Sequence, residues 1–113
     1  MIIENANMSD MISKMSGKNG DYPAFVCEEN GERTVHTYRC FASDVKSRAA
    51  ALKEQGHTCI GIVCMLGYET IVEIFAANLA GLQVVMLSPA LSGDQIQNLI
   101  MRMDIDCLYG RQG

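Results

Sequence analysis

From residue 58 onward, short apolar runs alternate with segments of helical periodicity, and this alternation most constrains the fold. The apolar runs are Thr58–Cys64, Val84–Leu87 and Ile105–Tyr109, each of strand length. The helical patterns between them cover Tyr68–Ala80 and Gly93–Met103. Strands joined by helices pair in parallel through right-handed βαβ crossovers. The sequence therefore predicts an α/β fold with a βαβαβ unit and a short parallel sheet.

The segment before this unit predicts a β-hairpin followed by an amphipathic helix. Two strand-like stretches, Pro23–Glu28 and Arg33–Thr37, flank an Asn-Gly dipeptide, and both of its residue types accept the positive φ of a tight turn. Thr37 is the expected helix cap and Gly56 the residue that closes the helix. The predicted apolar face consists of Phe41, Val45, Ala49 and Leu52, and the predicted solvated side carries Arg39, Lys46, Arg48 and Lys53.

The two later helices carry their own local signals. Ser92 and Gln95 stand at the spacing of a capping box. In the helix that begins at Tyr68, Glu69 and Glu73 are expected to form one exposed stripe. The small side chains that follow them would let this helix lie close to the sheet.

The chain divides into an N-terminal arm, residues 1–21, and an α/β subdomain, residues 22–113. Met8, Met11, Ile12 and Met15 fall at helical spacing and predict a short helix that ends at Gly17. We expect this helix to pack as a flap on the domain. Contact with a partner is the alternative, because flexible thioethers suit adaptable binding surfaces.

Composition and charge exclude several classes of protein. The chain is 49% hydrophobic and 19% charged, as globular domains are, and its net charge of −4 disfavours binding to nucleic acid or to an anionic membrane. Its beginning lacks the basic and apolar regions of a signal peptide, and no run approaches the length of a membrane span. The expectation is a soluble cytoplasmic protein with no membrane span and no nucleic-acid partner.

The cysteines show no metal-binding or disulfide pattern. Their number, five, is odd and no pair has C-x-x-C spacing, so neither zinc nor a disulfide framework is indicated. We expect free thiols packed in the core of a protein from a reducing compartment. They are Cys27, Cys40, Cys59, Cys64 and Cys107.

Ligands of an open α/β sheet bind beyond the carboxyl ends of its strands. In this sequence that rim comprises residues 65–69, 88–92 and 110–113. A phosphate site needs clustered glycines facing a lysine or a helix N-terminus, and neither G-x-G-x-x-G nor G-x-x-x-x-G-K-[ST] occurs in the sequence. Gly17-Lys-Asn-Gly20 has the wrong spacing. The prediction for this chain is no catalytic, no cofactor-binding and no metal-binding residue.

The acidic residues do not form a receiver-type magnesium site. Such a site needs carboxylates at the carboxyl ends of strands. Asp104 and Asp106 instead precede the last strand, and Asp94 is explained as a charge in the first turn of a helix.

No nucleophile has a base at a recognisable spacing. Ser88 precedes a proline and lacks the G-x-S-x-G elbow. His36 is expected to be a half-exposed strand residue and His57 a polar turn residue. Tyr68 and Glu69 begin a helix at the rim and are predicted to be exposed interface or capping residues rather than catalysts.

Over residues 22–110, the order and spacing of these features resemble the N-terminal region of acyl-CoA synthetases and their relatives in the AMP-binding superfamily. Long-chain fatty acid–CoA ligases are the subgroup that the sequence resembles most, although Met86 stands where many relatives have a proline. The residues that carry the resemblance are Thr34–Val45, Gly61–Cys64, Tyr68–Gly81 and Val84–Pro89.

The resemblance implies an enzyme that activates a carboxylate with Mg-ATP to an acyl-adenylate and then transfers the acyl group to coenzyme A. The phosphate loop of such enzymes lies downstream of the matching segment. ATP, magnesium and coenzyme A are thus implied for a full-length parent and not for this fragment, which we expect to be inactive alone. Its expected partner is the remainder of the parent, and an exposed apolar surface would favour self-association. The alternative is a free-standing interaction or oligomerisation module without catalysis.

Overall fold

The computed structural model describes Lys14, residues 20–65 and residues 67–110. Apart from Lys14, the helix predicted around Met8–Met15 lies outside the described residues, and so does most of the predicted arm. Between residues 22 and 110, every predicted element is present with bounds that differ by no more than two residues. The elements are β1 (Pro23–Glu29), β2 (Glu32–Thr37), α1 (Tyr38–Gln55), β3 (Cys59–Val63), α2 (Tyr68–Leu79), β4 (Gln83–Leu87), α3 (Gly93–Arg102) and β5 (Cys107–Tyr109).

The strands form the two sheets that the sequence predicts. β1 and β2 pair as an antiparallel hairpin. β3, β4 and β5 form a parallel sheet in the order β4-β3-β5, with Ile60 of β3 opposite Val84 on one side and Cys107 on the other. The central strand is buried along its whole length, which accounts for its nearly continuous apolar sequence.

Helices cover both faces of the parallel sheet. Ile60 and Ile62 of β3 belong to the hydrophobic cluster that contains the buried side chains of α1 and α2. Val63 of the same strand packs instead with Leu87 and with Ile96 of α3. Because successive side chains of a strand point to opposite faces, α1 and α2 lie on one face and α3 on the other.

Local turn and capping signals have the predicted effects. Asn30 and Gly31 adopt φ angles of 54° and 80° at the hairpin turn. The side chain of Thr37 accepts a hydrogen bond from the N–H three residues later, at 3.2 Å. Ser92 and Gln95 form both bonds of a capping box, at 3.2 and 2.8 Å. These contacts set where α1 and α3 begin.

The prediction of thiols packed in the core is confirmed at one position, met in part at three and wrong at one. Cys59 is buried, and Cys27, Cys64 and Cys107 are half-buried. Cys40 is exposed, because it lies in the first turn of α1 on the side away from the buried face. All five are free thiols. Within the described ranges, no helix is long and apolar enough to cross a bilayer.

Candidate functional site

A cleft of about 540 Å³ opens between α1 and α2 on the hairpin side of the sheet. Strands β2 and β5 supply its remaining walls. We call it the α1–α2 cleft, and its lining consists of His36, Asp44, Arg48, Tyr68, Glu69, Val72, Glu73 and Tyr109. A smaller cleft of about 290 Å³ shares Tyr68, Glu69 and Tyr109 with it and extends to the carboxyl ends of β3 and β5.

A bidentate ion pair joins the two helices at the cleft. The Nε of Arg48 donates to both carboxylate oxygens of Glu73, at 2.7 and 3.0 Å, and its Nη2 donates to Oε1 at 2.9 Å. The Glu73 side chain is 3% exposed and the Arg48 side chain 35%. The hydrogen bonds to Glu73 raise the pKa of Arg48 above its ordinary value, although burial opposes them. The guanidinium is thus permanently charged and committed to one partner.

This ion pair corrects two predictions made from the sequence. Glu73 was expected on an exposed stripe and Arg48 on the solvated side of α1. Glu73 is instead buried, because α1 packs against α2 and brings the guanidinium over the carboxylate. A charged group in that position is stable only with a partner, and Arg48 provides it.

Tyr68 is the second buried polar group of the cleft. It is 7% exposed, and its hydroxyl donates to Oδ2 of Asp44 at 2.6 Å. Its ring stacks on the ring of His36, with centroids 3.5 Å apart and planes 6° from parallel. Burial raises the pKa of the Tyr68 phenol, and the hydrogen bond to Asp44 raises it further, by a smaller amount. Tyr68 therefore remains a neutral hydrogen-bond donor.

The prediction that Tyr68 is an exposed interface residue is wrong, whereas its neighbour Glu69 is exposed as expected. The hairpin is the reason: β2 places His36 over the first turn of α2 and shields the tyrosine ring. His36 itself is half-buried, as expected for a strand histidine, but its stacking partner lies 32 residues away and has no signal in the sequence.

The cleft carries an excess of negative charge. Three carboxylates line it, from Asp44, Glu69 and Glu73, against the single guanidinium of Arg48. Burial raises the pKa of Tyr109, and the nearby charges of Glu69 and Glu73 raise it further. Arg48 has the opposite, smaller effect on the pKa of Tyr109.

The rim of the sheet has a different chemistry. Two glycines with positive φ, Gly67 at 156° and Gly110 at 110°, lie in the smaller cleft with Met65 and Thr70. Leu66 and residues 111–113 of the predicted rim lie outside the described residues. Among the residues described, no three or more His, Cys, Asp or Glu side chains are grouped to hold a metal ion. The absence of catalytic and cofactor-binding residues stays a prediction.

Asp106 has a structural role at the opposite edge of the sheet. Its carboxylate accepts hydrogen bonds from the N–H and hydroxyl of Thr58, both at 3.0 Å, and from the N–H of Cys59 at 3.3 Å. His57 Nδ1 lies 3.6 Å from Asp106 Oδ1. These contacts lower the pKa of Asp106, and the hydrogen bond from the Thr58 N–H has the largest effect. This carboxylate joins the amino ends of β3 and β5 and is remote from the rim.

The remaining sequence candidates also have structural roles. Asp94 lies in the first turn of α3, and Asp104 adopts a positive φ of 53° in the turn after that helix. The hydroxyl of Ser88 accepts a hydrogen bond from the N–H of Ala90 at 3.2 Å. None of the three lines either cleft.

Residues 13–112 match the AMP-binding enzyme family. This match covers most of the chain, and the chain belongs to that family. A comparison with curated proteins finds no match.

Solved structures share the fold at low sequence identity. The structure of IdnL1 superposes with a TM-score of 0.79 at 19% identity, over 92% of this chain and 23% of its own length. The fatty acid AMP ligase from Legionella pneumophila gives 0.76 at 14% identity, over 89% of this chain and 19% of its own. The adenylation domain AlmE from Vibrio cholerae, solved with glycyl-adenosine-5'-phosphate, gives 0.74 at 17% identity, over 96% and 20%. The chain thus spans about a fifth of the length of these neighbours.

Proposed function

We propose that this chain is the N-terminal structural part of an ATP-dependent carboxylate–CoA ligase and has no catalytic activity alone. One observation carries the proposal: the AMP-binding enzyme family matches residues 13–112. The lengths of the structural neighbours support the second half, because this fold accounts for only about a fifth of each.

In the complete enzyme, the carboxylate would attack the α-phosphorus of Mg-ATP, pyrophosphate would leave, and the thiol of coenzyme A would then displace AMP from the acyl-adenylate. In this proposal, ATP, magnesium and coenzyme A are held by other parts of the polypeptide. The contribution of this chain is a rigid platform, in which α1, α2 and the hairpin are joined through the Arg48–Glu73 ion pair and the Tyr68–Asp44 hydrogen bond.

We further propose a fatty acid as the carboxylate. The support is the sequence resemblance to long-chain fatty acid–CoA ligases, together with the fatty acid AMP ligase from Legionella pneumophila among the structural neighbours. The adenylation domain AlmE from Vibrio cholerae has the same fold, so an amino acid is the competing substrate class.

The test uses the protein encoded by the complete reading frame that contains this chain. It is incubated with Mg-ATP, coenzyme A and, in separate reactions, palmitate, acetate or glycine, and the products are identified by mass spectrometry. Palmitoyl-CoA with release of AMP is the expected result. Accumulation of palmitoyl-adenylate without thioester would refute the transfer to coenzyme A, and glycyl-adenylate alone would refute the fatty acid.

The isolated chain is assayed in parallel for exchange of radioactive pyrophosphate into ATP with palmitate present. We expect no exchange above a reaction without protein. Exchange that depends on palmitate would contradict the proposal that the fragment is inactive.

A second candidate function is a free-standing oligomerisation module. Large apolar side chains are exposed on the outer surface, with Met101 at 75%, Met86 at 60% and Leu108 at 39%, and such surfaces favour self-association. A severed enzyme fragment would expose similar surface, so dimer formation does not separate the two candidates. A mature cellular protein that has the mass of the 113-residue chain would favour the module, and a severalfold larger one would favour the ligase.

A further inference from the structure

The α1–α2 cleft has the size and lining of a ligand site. Its volume of about 540 Å³ falls within the range of about 300–1,000 Å³ typical of small-molecule sites. Two buried side chains, Tyr68 and Glu73, form part of its walls, and hydrogen bonds with Asp44 and Arg48 fix their geometry. We propose that this cleft binds an organic cation, an ammonium or guanidinium group carried on an apolar arm.

Two of the three carboxylates of the cleft lack a matching cation. The guanidinium of Arg48 is held in a bidentate pair by Glu73. Asp44 accepts a hydrogen bond from a neutral phenol, at 2.6 Å. The Glu69 side chain makes no hydrogen bond or ion pair within the described part of the chain, although it lines both clefts. A cation that enters the cleft would therefore meet two carboxylates, Asp44 and Glu69, that no side-chain cation neutralises.

The other walls suit the arm of such a ligand. Val72 and the aromatic rings of His36, Tyr68 and Tyr109 line the same cleft. Aromatic rings attract cations through their quadrupole as well as apolar groups through burial. An anion would face an excess of negative charge, and a purely apolar ligand would remove the Glu69 carboxylate from water without a compensating partner. Of these classes, an amphipathic cation best matches both the two carboxylates and the aromatic walls.

The same chemistry can come from a free alkylamine or alkylguanidine, or from an arginine or lysine side chain of a polypeptide. Both carry a cation on an apolar arm, and the cleft is open enough to admit either. The two sources differ in a testable way, because a polypeptide adds contacts from its backbone and neighbouring residues along the open side.

The experiment is an NMR titration of the full chain, labelled with nitrogen-15, that follows the backbone amide signals. The probes are 1-butylguanidinium and the blocked peptide acetyl-Gly-Arg-Gly-amide, with 1-butanol and acetyl-Gly-Gln-Gly-amide as neutral counterparts. We expect both cationic probes to shift the signals of Glu69, Tyr109 and His36 saturably, and the neutral probes not to. Tighter binding of the peptide would assign the site to a polypeptide, and tighter binding of butylguanidinium would assign it to a small molecule.

Matched variants test whether the carboxylate is responsible. Glu69→Gln should weaken binding by about threefold or more, the ratio that an exposed ion pair supplies. Glu54→Gln, an exposed carboxylate on α1 outside the cleft, should leave binding unchanged. Glu69 is exposed, so the Glu69→Gln variant is expected to fold. The dispersion of its amide signals in the NMR spectrum checks this.

Three results would overturn the proposal. They are equal shifts with neutral and cationic probes, no saturable shift at probe concentrations up to about 50 mM, and equal binding by the wild type and Glu69→Gln. The outcome is independent of the ligase proposal, because the pyrophosphate-exchange and product assays do not involve these probes. Either proposal can fail while the other stands.

Discussion

Replacing Arg48 with methionine removes the guanidinium from a carboxylate that is almost completely shielded from water. Exposed ion pairs contribute about 0–1 kcal/mol to stability, whereas removal of one partner from a buried pair costs about 3–5 kcal/mol. The Glu73 side chain is 3% exposed and the Arg48 side chain 35%, so this pair lies between the two limits. We expect Arg48→Met to lower the free energy of unfolding by about 2–3 kcal/mol at neutral pH.

Because the two partners differ in exposure, we expect their substitutions to lower the free energy of unfolding by different amounts. Glu73→Met leaves a guanidinium that still reaches water, so its expected cost in free energy of unfolding is smaller, about 1 kcal/mol. The double variant Arg48→Met with Glu73→Met leaves no buried charge. It should therefore be more stable than Arg48→Met alone, within about 1 kcal/mol of the wild type.

The assay is urea unfolding followed by circular dichroism, with the four proteins compared as a double-mutant cycle. For Arg48→Met the expected shift of the urea midpoint is about 1–2 M. Arg39→Met is the matched control on the same helix, since Arg39 pairs with Asp21 and the two side chains are 51% and 84% exposed. If Arg48→Met costs no more than Arg39→Met, or if the double variant is no more stable than Arg48→Met, the pair is not shielded as described.

Three further substitutions test other parts of the structure. Ser92→Ala removes the capping box of α3 and should cost about 1 kcal/mol in urea unfolding; an unchanged midpoint would show that the cap is dispensable. Gly61→Ala places a methyl group 3.2 Å from a Leu87 methyl carbon, so a loss of about 1–2 kcal/mol is expected, and a higher melting temperature would contradict the packing at that position. The pKa of Asp106 is lowered, mainly by the hydrogen bond from the Thr58 N–H. Its carboxylate therefore stabilises the fold above the pKa of the unfolded chain, near 4. This stabilisation is lost as the pH falls through the lower pKa of the folded chain. Asp106→Asn should therefore flatten the stability profile below about pH 4, and an acid limb as steep as that of the wild type would refute this role.

The secondary structure could be predicted because its signals are local. The turn at Asn30-Gly31, the cap at Thr37 and the capping box at Ser92 act within a few residues of the chain. The run of apolar residues in β3 likewise reflects burial along a single strand. Local signals of this kind do not depend on how the elements later pack.

The cleft could not be predicted in the same way because its contacts are tertiary. Tyr68 meets Asp44 across 24 residues and Arg48 meets Glu73 across 25. Only for Glu73 was a signal available, since it precedes Ala76 and Ala77 at helical spacing on the buried face of α2. A glutamate that shares its helix face with alanines can face the core, where its charge needs a partner.

The central claim is that this chain is a structural part of an adenylate-forming enzyme and holds no nucleotide by itself. Isothermal titration calorimetry of the purified chain with Mg-ATP tests this most directly. We predict heats equal to those of dilution at ATP concentrations up to about 1 mM, which corresponds to binding weaker than about 4 kcal/mol. A saturable isotherm with one ATP per chain would contradict the account.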